Sequence, residues 1–181
     1  MSIKSFKKYY PVFLLTIVVV IASAFTVTTE EISRVVLESR QDPETLALLQ
    51  QIFPEAVLYT YSTDTEIYTI YDISRQKIGY AAYGEGQGFS YIDIVVLVGL
   101  EDAETIKSVI VISQYETDSY WNSLMRRNFL DRFIGLNIEN CYLNGYKQTG
   151  GIDAVSGSTY SSRGVVEAVR DAILEKIQYL D

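Results

Sequence analysis

The chain has 181 residues, enough for one compact domain with a sizeable core plus a short appendage. With no histidine and a single cysteine, it excludes a His-ligated metal site, a triad built on a histidine base and an internal disulfide framework. The formal charge is −8, and Lys4, Lys7 and Lys8 are the only charged residues before Glu30, so the remainder is strongly acidic and unsuited to nucleic-acid phosphates.

Tyr9 through Thr29 carries no Asp, Glu, Lys or Arg, and roughly 20 residues of helix cross a bilayer core. The expectation is a basic cytoplasmic N-terminus and a membrane anchor over residues 1–29. A cleaved signal peptide competes with it, since Ala22-Ser23-Ala24 has the small residues of a cleavage site. The uncharged stretch is longer than a secretory segment requires, which favours the anchor. Lysines before the span and Glu30-Glu31 after it put the rest of the chain outside the cytoplasm.

Residues 30–56 read as a stalk and a short helix. Asp42-Pro43-Glu44 is a helix start, Leu46, Leu49 and Ile52 share one side, and Pro54 closes the element. Residues 57–181 then form the extracytoplasmic domain. Within it, 67–71, 77–83, 91–100 and 105–112 are rich in aromatic and β-branched residues and predict strands. The continuous Ile94–Val98 run predicts a central strand covered on both sides. Arg75-Gln76 and residues 101–104 suit hairpin connections. Gly84-Glu85-Gly86-Gln87-Gly88-Phe89-Ser90 reads as a connection whose glycines supply backbone freedom or close approach to a ligand.

Trp121 to Phe133 predicts an irregular amphipathic helix burying Leu124, Phe129 and Phe133. Arg126, Arg127 and Arg132 read as solvated, with a cofactor phosphate as the alternative, and Cys141 as a buried, inert thiol. Val165, Val166, Val169, Ile173 and Ile177 recur at helical spacing, with Ser161 or Ser162 placed to cap the start. The whole predicts an α+β fold: a curved antiparallel sheet with packed helices, preceded by one transmembrane helix.

Just before the last helix stands Asp153-Ala154-Val155-Ser156-Gly157-Ser158-Thr159. Small hydroxyl residues at a helix N-terminus favour a phosphate or carboxylate, because unpaired N–H groups and the helix dipole point there. An ordinary polar cap has the same composition, and the physics alone leaves both readings open.

Asp153, Ser156, Gly157, Ser158 and Thr159, continued by Tyr160-Ser161-Ser162, resemble the flavin-attachment motif of the FMN-binding domain of the G subunit of the Rnf ion-translocating ferredoxin:NAD oxidoreductase. That family is related to the C subunit of the Na+-translocating NADH:quinone oxidoreductase. The similarity extends to the single anchor helix, Ile52-Phe53-Pro54-Glu55-Ala56, a glycine-rich connection before Ile94–Leu100, and the pair Glu116-Thr117. The resemblance implies FMN bound covalently through its phosphate to Thr159, installed by a separate Mg-dependent flavin transferase using FAD. It also implies cofactor contacts from Asp153, Ser156, Gly157, Ser158, Glu116, Thr117 and Ser161, with no catalytic residue and no metal ligand of the chain's own. The protein would then be an electron-relay subunit, with multispanning and iron–sulfur or flavin subunits as partners. Alternatives are a membrane-anchored flavoprotein of another electron-transfer system and a non-redox ectodomain without flavin.

Three positions depart from the family pattern. Ser158 stands where alanine is usual, Asp118-Ser119-Tyr120-Trp121 replaces Pro-Gly-Leu-Gly, and Gln114 is the polar residue near Glu116-Thr117 where the family often has histidine. Glu116 and Thr117 also suit a plain strand-end turn. Tyr120 and Trp121 suit flavin stacking, a subunit interface or core packing.

Overall fold

The computed structural model describes residues 15–19, 41–145, 151–174 and 176. The chain divides into two units, Met1–Asp42 and Pro43–Asp181. In the first, residues 15–19 are helical. Among the described residues no helix is long and apolar enough to cross a membrane. Most of the expected span over 9–29, nearly all of the stalk and Ile177 lie outside the described residues.

The second unit opens with helix α1 (Pro43–Ile52), which starts at the proline that Asp42-Pro43 predicts. Five strands follow as an antiparallel meander in the order β1-β2-β3-β4-β5. They are β1 (Leu58–Ser62), β2 (Ile67–Tyr71), β3 (Lys77–Gln87), β4 (Asp93–Leu100) and β5 (Ile106–Ser113). β1 is an edge strand the sequence reading leaves out. Its pairing of Tyr59 with Ile70 buries Tyr59, while Tyr61 stays exposed, so its apolar pattern is weak when read alone. β4 is covered on both faces as expected: Ile94, Val96 and Val98 lie in one apolar cluster and Leu97 in the other.

The expected helix over 121–133 is two pieces. α2 (Asp118–Arg126) ends where Asn128 adopts φ 49, and a 3-10 turn (Leu130–Phe133) follows. The Asn128 N–H donates to the Met125 carbonyl at 3.0 Å and the Phe129 N–H to the Leu124 carbonyl at 3.2 Å. Those two bonds and the left-handed asparagine make a Schellman terminus, which is the source of the irregularity in the pattern. Leu124, Phe129 and Phe133 are buried, as the spacing predicts.

The last helix, α3 (Thr159–Leu174), packs on β3 and β4 through Val165, Val169 and Ile173. Here the structure corrects one expectation: Gly84–Gln87 is not a connection but the second half of β3. A Cβ at Gly84 would meet the Ala168 carbonyl and the Ala172 nitrogen closer than 3 Å, and one at Gly86 would meet the Gly164 carbonyl and Ala168 nitrogen as closely. The glycines matter for the Cβ they lack, which lets the backbone of α3 lie against the sheet.

Candidate functional site

Gly88 follows β3, and Gly164 packs against its backbone, so the close approach continues toward the N-terminal end of α3. There Glu116, only 6% exposed, ties three segments together. Its carboxylate accepts hydrogen bonds from the backbone N–H of Phe89 at 3.2 Å, from that of Ser90 at 2.9 Å and from the Ser161 hydroxyl. Gln114 Oε1 accepts from the Glu116 N–H at 2.7 Å and fixes the turn that carries it. A side chain at position 88 would collide with the carboxylate. Burial works against charge on Glu116, but the hydrogen bonds from Ser161, Ser90 and Phe89 outweigh it and hold the carboxyl below its ordinary range.

The loop before α3 is fastened from inside. Val155 donates its N–H to Ser162 Oγ at 3.0 Å, and Ser162 Oγ donates to the Ser158 carbonyl at 2.9 Å. The Ser158 N–H closes on the Val155 carbonyl at 2.9 Å, around Gly157 at φ +83, where a residue with a side chain would be strained. Ser158 Oγ donates to the Tyr120 carbonyl at 3.0 Å. Ser161 and Ser162 therefore do not cap the helix from its N-cap position. Because α3 already starts at Thr159, they sit in its first turn, buried and bonded to Glu116 and to the loop.

Ser156, Gly157 and Thr159 are exposed. Asp153 is exposed too, and it is spent on the loop: its carboxylate accepts from Asn144 Nδ2, and its carbonyl from Arg132 Nη1 at 2.5 Å. Thr117 is exposed at the N-cap of α2, where its carbonyl accepts from the N–H groups of Tyr120 and Trp121. An open groove of about 490 Å3, lined by Arg127, Arg132, Asp153 and Ser156 among others, runs along the loop. The two arginines are exposed as expected, yet they share this concavity.

Phe89, Ser90 and Tyr160 are not among the cofactor contacts that the resemblance implies, but they stand at the site. The Phe89 ring meets Tyr120 edge-on at 5.0 Å and Tyr160 at 6.3 Å. Trp121 packs against the core instead, so the two adjacent aromatics, both half-buried, turn to different neighbours. One legible signal existed for the clamp: Ser161 and Ser162 precede Val165 and Val166 by four, on the buried stripe of the helix, where hydroxyls need partners. Cys141 is buried as expected, and burial pushes its thiol up to about 12 against the opposing charge of Arg170.

Residues 88–174, from the end of β3 through α3, match the FMN-binding domain family. Over 161 residues the chain is 27% identical to the G subunit of the ion-translocating oxidoreductase complex of Methanosarcina acetivorans, covering 83% of this chain and 82% of that protein. The resemblance to the Rnf G subunit drawn from Asp153–Ser162 therefore stands. The crystal structure of Shewanella oneidensis NqrC is similar at a TM-score of 0.47 and 22% identity, over 65% of this chain and 65% of that one.

Proposed function

We propose that the domain carries FMN covalently, through a phosphoester on Thr159, and that it relays electrons within a membrane ion-translocating oxidoreductase. The supporting observation is the division of the hydroxyls. Ser158, Ser161 and Ser162 are buried and bonded, whereas Thr159 is exposed at the first position of α3. A hydroxyl that must meet a second enzyme has to be accessible. A phosphate there is favoured by the N-terminal N–H groups and dipole of a helix that runs to Leu174. The residues fit the group: Gly157 has open space on its Cβ side, and Phe89 and Tyr160 offer exposed aromatic surface nearby.

Attachment uses Thr159 once. Its Oγ displaces AMP from the flavin-side phosphorus of FAD, forming one P–O bond as the pyrophosphate P–O bond breaks, and the hydroxyl proton passes to the transferase. Bound FMN supplies the electron-carrying ring that a chain without histidine or paired thiols lacks. The protein's own part is to hold the loop: Ser162 and Ser158 set its path, and Glu116 joins the first turn of α3 to Phe89 and Ser90.

The uncharged stretch Tyr9–Thr29 supports a single anchor with the domain outside the cytoplasm. One helix cannot line an ion path, which assigns translocation to multispanning partners and electron exchange to neighbouring flavin or iron–sulfur subunits. The test is flavin fluorescence of the protein in a denaturing gel after expression with a flavin transferase. The parent is expected to fluoresce and Thr159→Ala to be dark. A dark parent, or a fluorescent Thr159→Ala, would overturn the attachment. Copurification of the parent with multispanning subunits tests the relay role, and a protein isolated alone from intact membranes counts against it.

A further inference from the structure

Two of this chain's departures from the family pattern are bonded to each other beside Thr159. Ser158 replaces the usual alanine, and its hydroxyl donates to the carbonyl of Tyr120, which belongs to the segment replacing Pro-Gly-Leu-Gly. The Tyr120 ring meets Phe89, and Phe89 meets Tyr160, the residue after Thr159. Three aromatic rings thus converge from the β3–β4 connection, from α2 and from the first turn of α3.

The backbone beneath them is fastened twice, by Ser158 to Tyr120 and by Glu116 to Phe89, Ser90 and Ser161. Two of the rings are nevertheless open to solvent, Phe89 at 45% and Tyr160 at 61% exposed, and Tyr120, on α2 against Phe89, is half-buried. Large apolar surface on a backbone held this firmly is preorganised for a planar partner, because covering such rings is favourable and little ordering remains to be done. Trp121 offers the contrast, since its ring already has neighbours in the core.

We propose that Phe89, Tyr120 and Tyr160 form an aromatic wall for the isoalloxazine ring of FMN, with Glu116 as the positioning residue that holds Phe89 in it. The proposal rests on attachment at Thr159. The occupant follows from continuity: the wall includes the residue next to Thr159, and its clamp includes Ser161 two residues on. Replacing Pro-Gly-Leu-Gly with a tyrosine-bearing helix start gives this chain's wall a phenol ring that the family motif lacks.

A tyrosine touching an excited flavin quenches its emission by donating an electron that returns in the ground state, so native fluorescence reads the contact without turnover. The experiment uses the full chain expressed with a flavin transferase and compares native with denatured emission. The gel signal reports attachment separately. Parent protein is expected to be strongly quenched. Tyr120→Phe combined with Tyr160→Phe keeps the ring shapes and is expected to raise native emission several-fold at unchanged gel signal. Glu116→Ala is expected to raise it partway, and Glu116→Gln, which retains an acceptor oxygen, to recover some of the quenching. Unchanged native emission in the double tyrosine variant, with the gel signal intact, overturns the wall and leaves the attachment standing. A dark gel in the parent overturns the attachment, and the wall with it. Should Glu116→Ala fail to fold, the tyrosine variants still decide.

Discussion

The two faces of the sheet use glycine differently, and the difference explains why the site lies where it does. On the α1 face, Gly99 leaves a recess occupied by side chains, the Ile52 methyl and the Phe53 ring. On the α3 face, Gly84 and Gly86 make room for backbone, the carbonyls of Gly164 and Ala168 and the nitrogens of Ala168 and Ala172. A side chain can turn aside when crowded, whereas helix backbone moves only as a unit. The first face is a core that can adjust, while the second fixes the axis of α3 and hence the position of Thr159 at its end.

The sharpest way to break this comparison is Gly86→Val. The new side chain would meet only backbone, so the expected cost is about 3 kcal/mol or more, the upper end for overpacking, read as a fall in the urea midpoint. Glu116→Ala comes next. It leaves two N–H groups and a buried hydroxyl without their charged acceptor, and the expected loss is about 2 kcal/mol in the same measurement. Gly99→Ala crowds chiefly the Ile52 methyl and the Phe53 ring edge, and is expected to cost about 1 kcal/mol. If Gly99→Ala proves as damaging as Gly86→Val, the distinction between the faces fails.

Acid sharpens the role of Glu116. Its folded-state pKa lies below the ordinary value of 4.5, so its stabilising contribution is complete above that value and is lost as pH falls through the lowered pKa. Thermal melts below about pH 4.5 are expected to drop more steeply for the parent than for Glu116→Gln, which has no proton to gain there. Equal slopes would mean that the clamp does not depend on the charge. The smallest expected effect is that of Ser158→Ala, which restores the family residue and removes one bond to the Tyr120 carbonyl. A loss below about 1 kcal/mol is expected.

Much of the fold was legible because its determinants are local. Runs of β-branched and aromatic residues mark β2, β4 and β5, Asp42-Pro43 marks the start of α1, and the spacing of Val165, Val169 and Ile173 marks the buried stripe of α3. β1 was not legible, because half of its tyrosines face water and only pairing with β2 gives it an inner face. The second half of β3 was hidden because glycines signal a turn when read alone and close packing only when the helix against them is known. Glu116 and Thr117 stood out as a pair in the sequence, but the structure separates them: Glu116 is buried in the clamp and Thr117 is exposed at the start of α2.

At Thr159 the same division holds. The sequence by itself determines a hydroxyl-rich turn opening an amphipathic helix, since composition, the glycine at position 157 and helical spacing all lie within one short segment. Which hydroxyl stays accessible is a tertiary matter. Ser158 is taken by Tyr120 and Ser161 by Glu116, residues about forty positions away, and Ser162 closes on a loop whose path those contacts help define. Contacts between distant segments leave no periodic trace in a sequence, so only the folded chain separates the exposed Thr159 from the buried Ser158, Ser161 and Ser162.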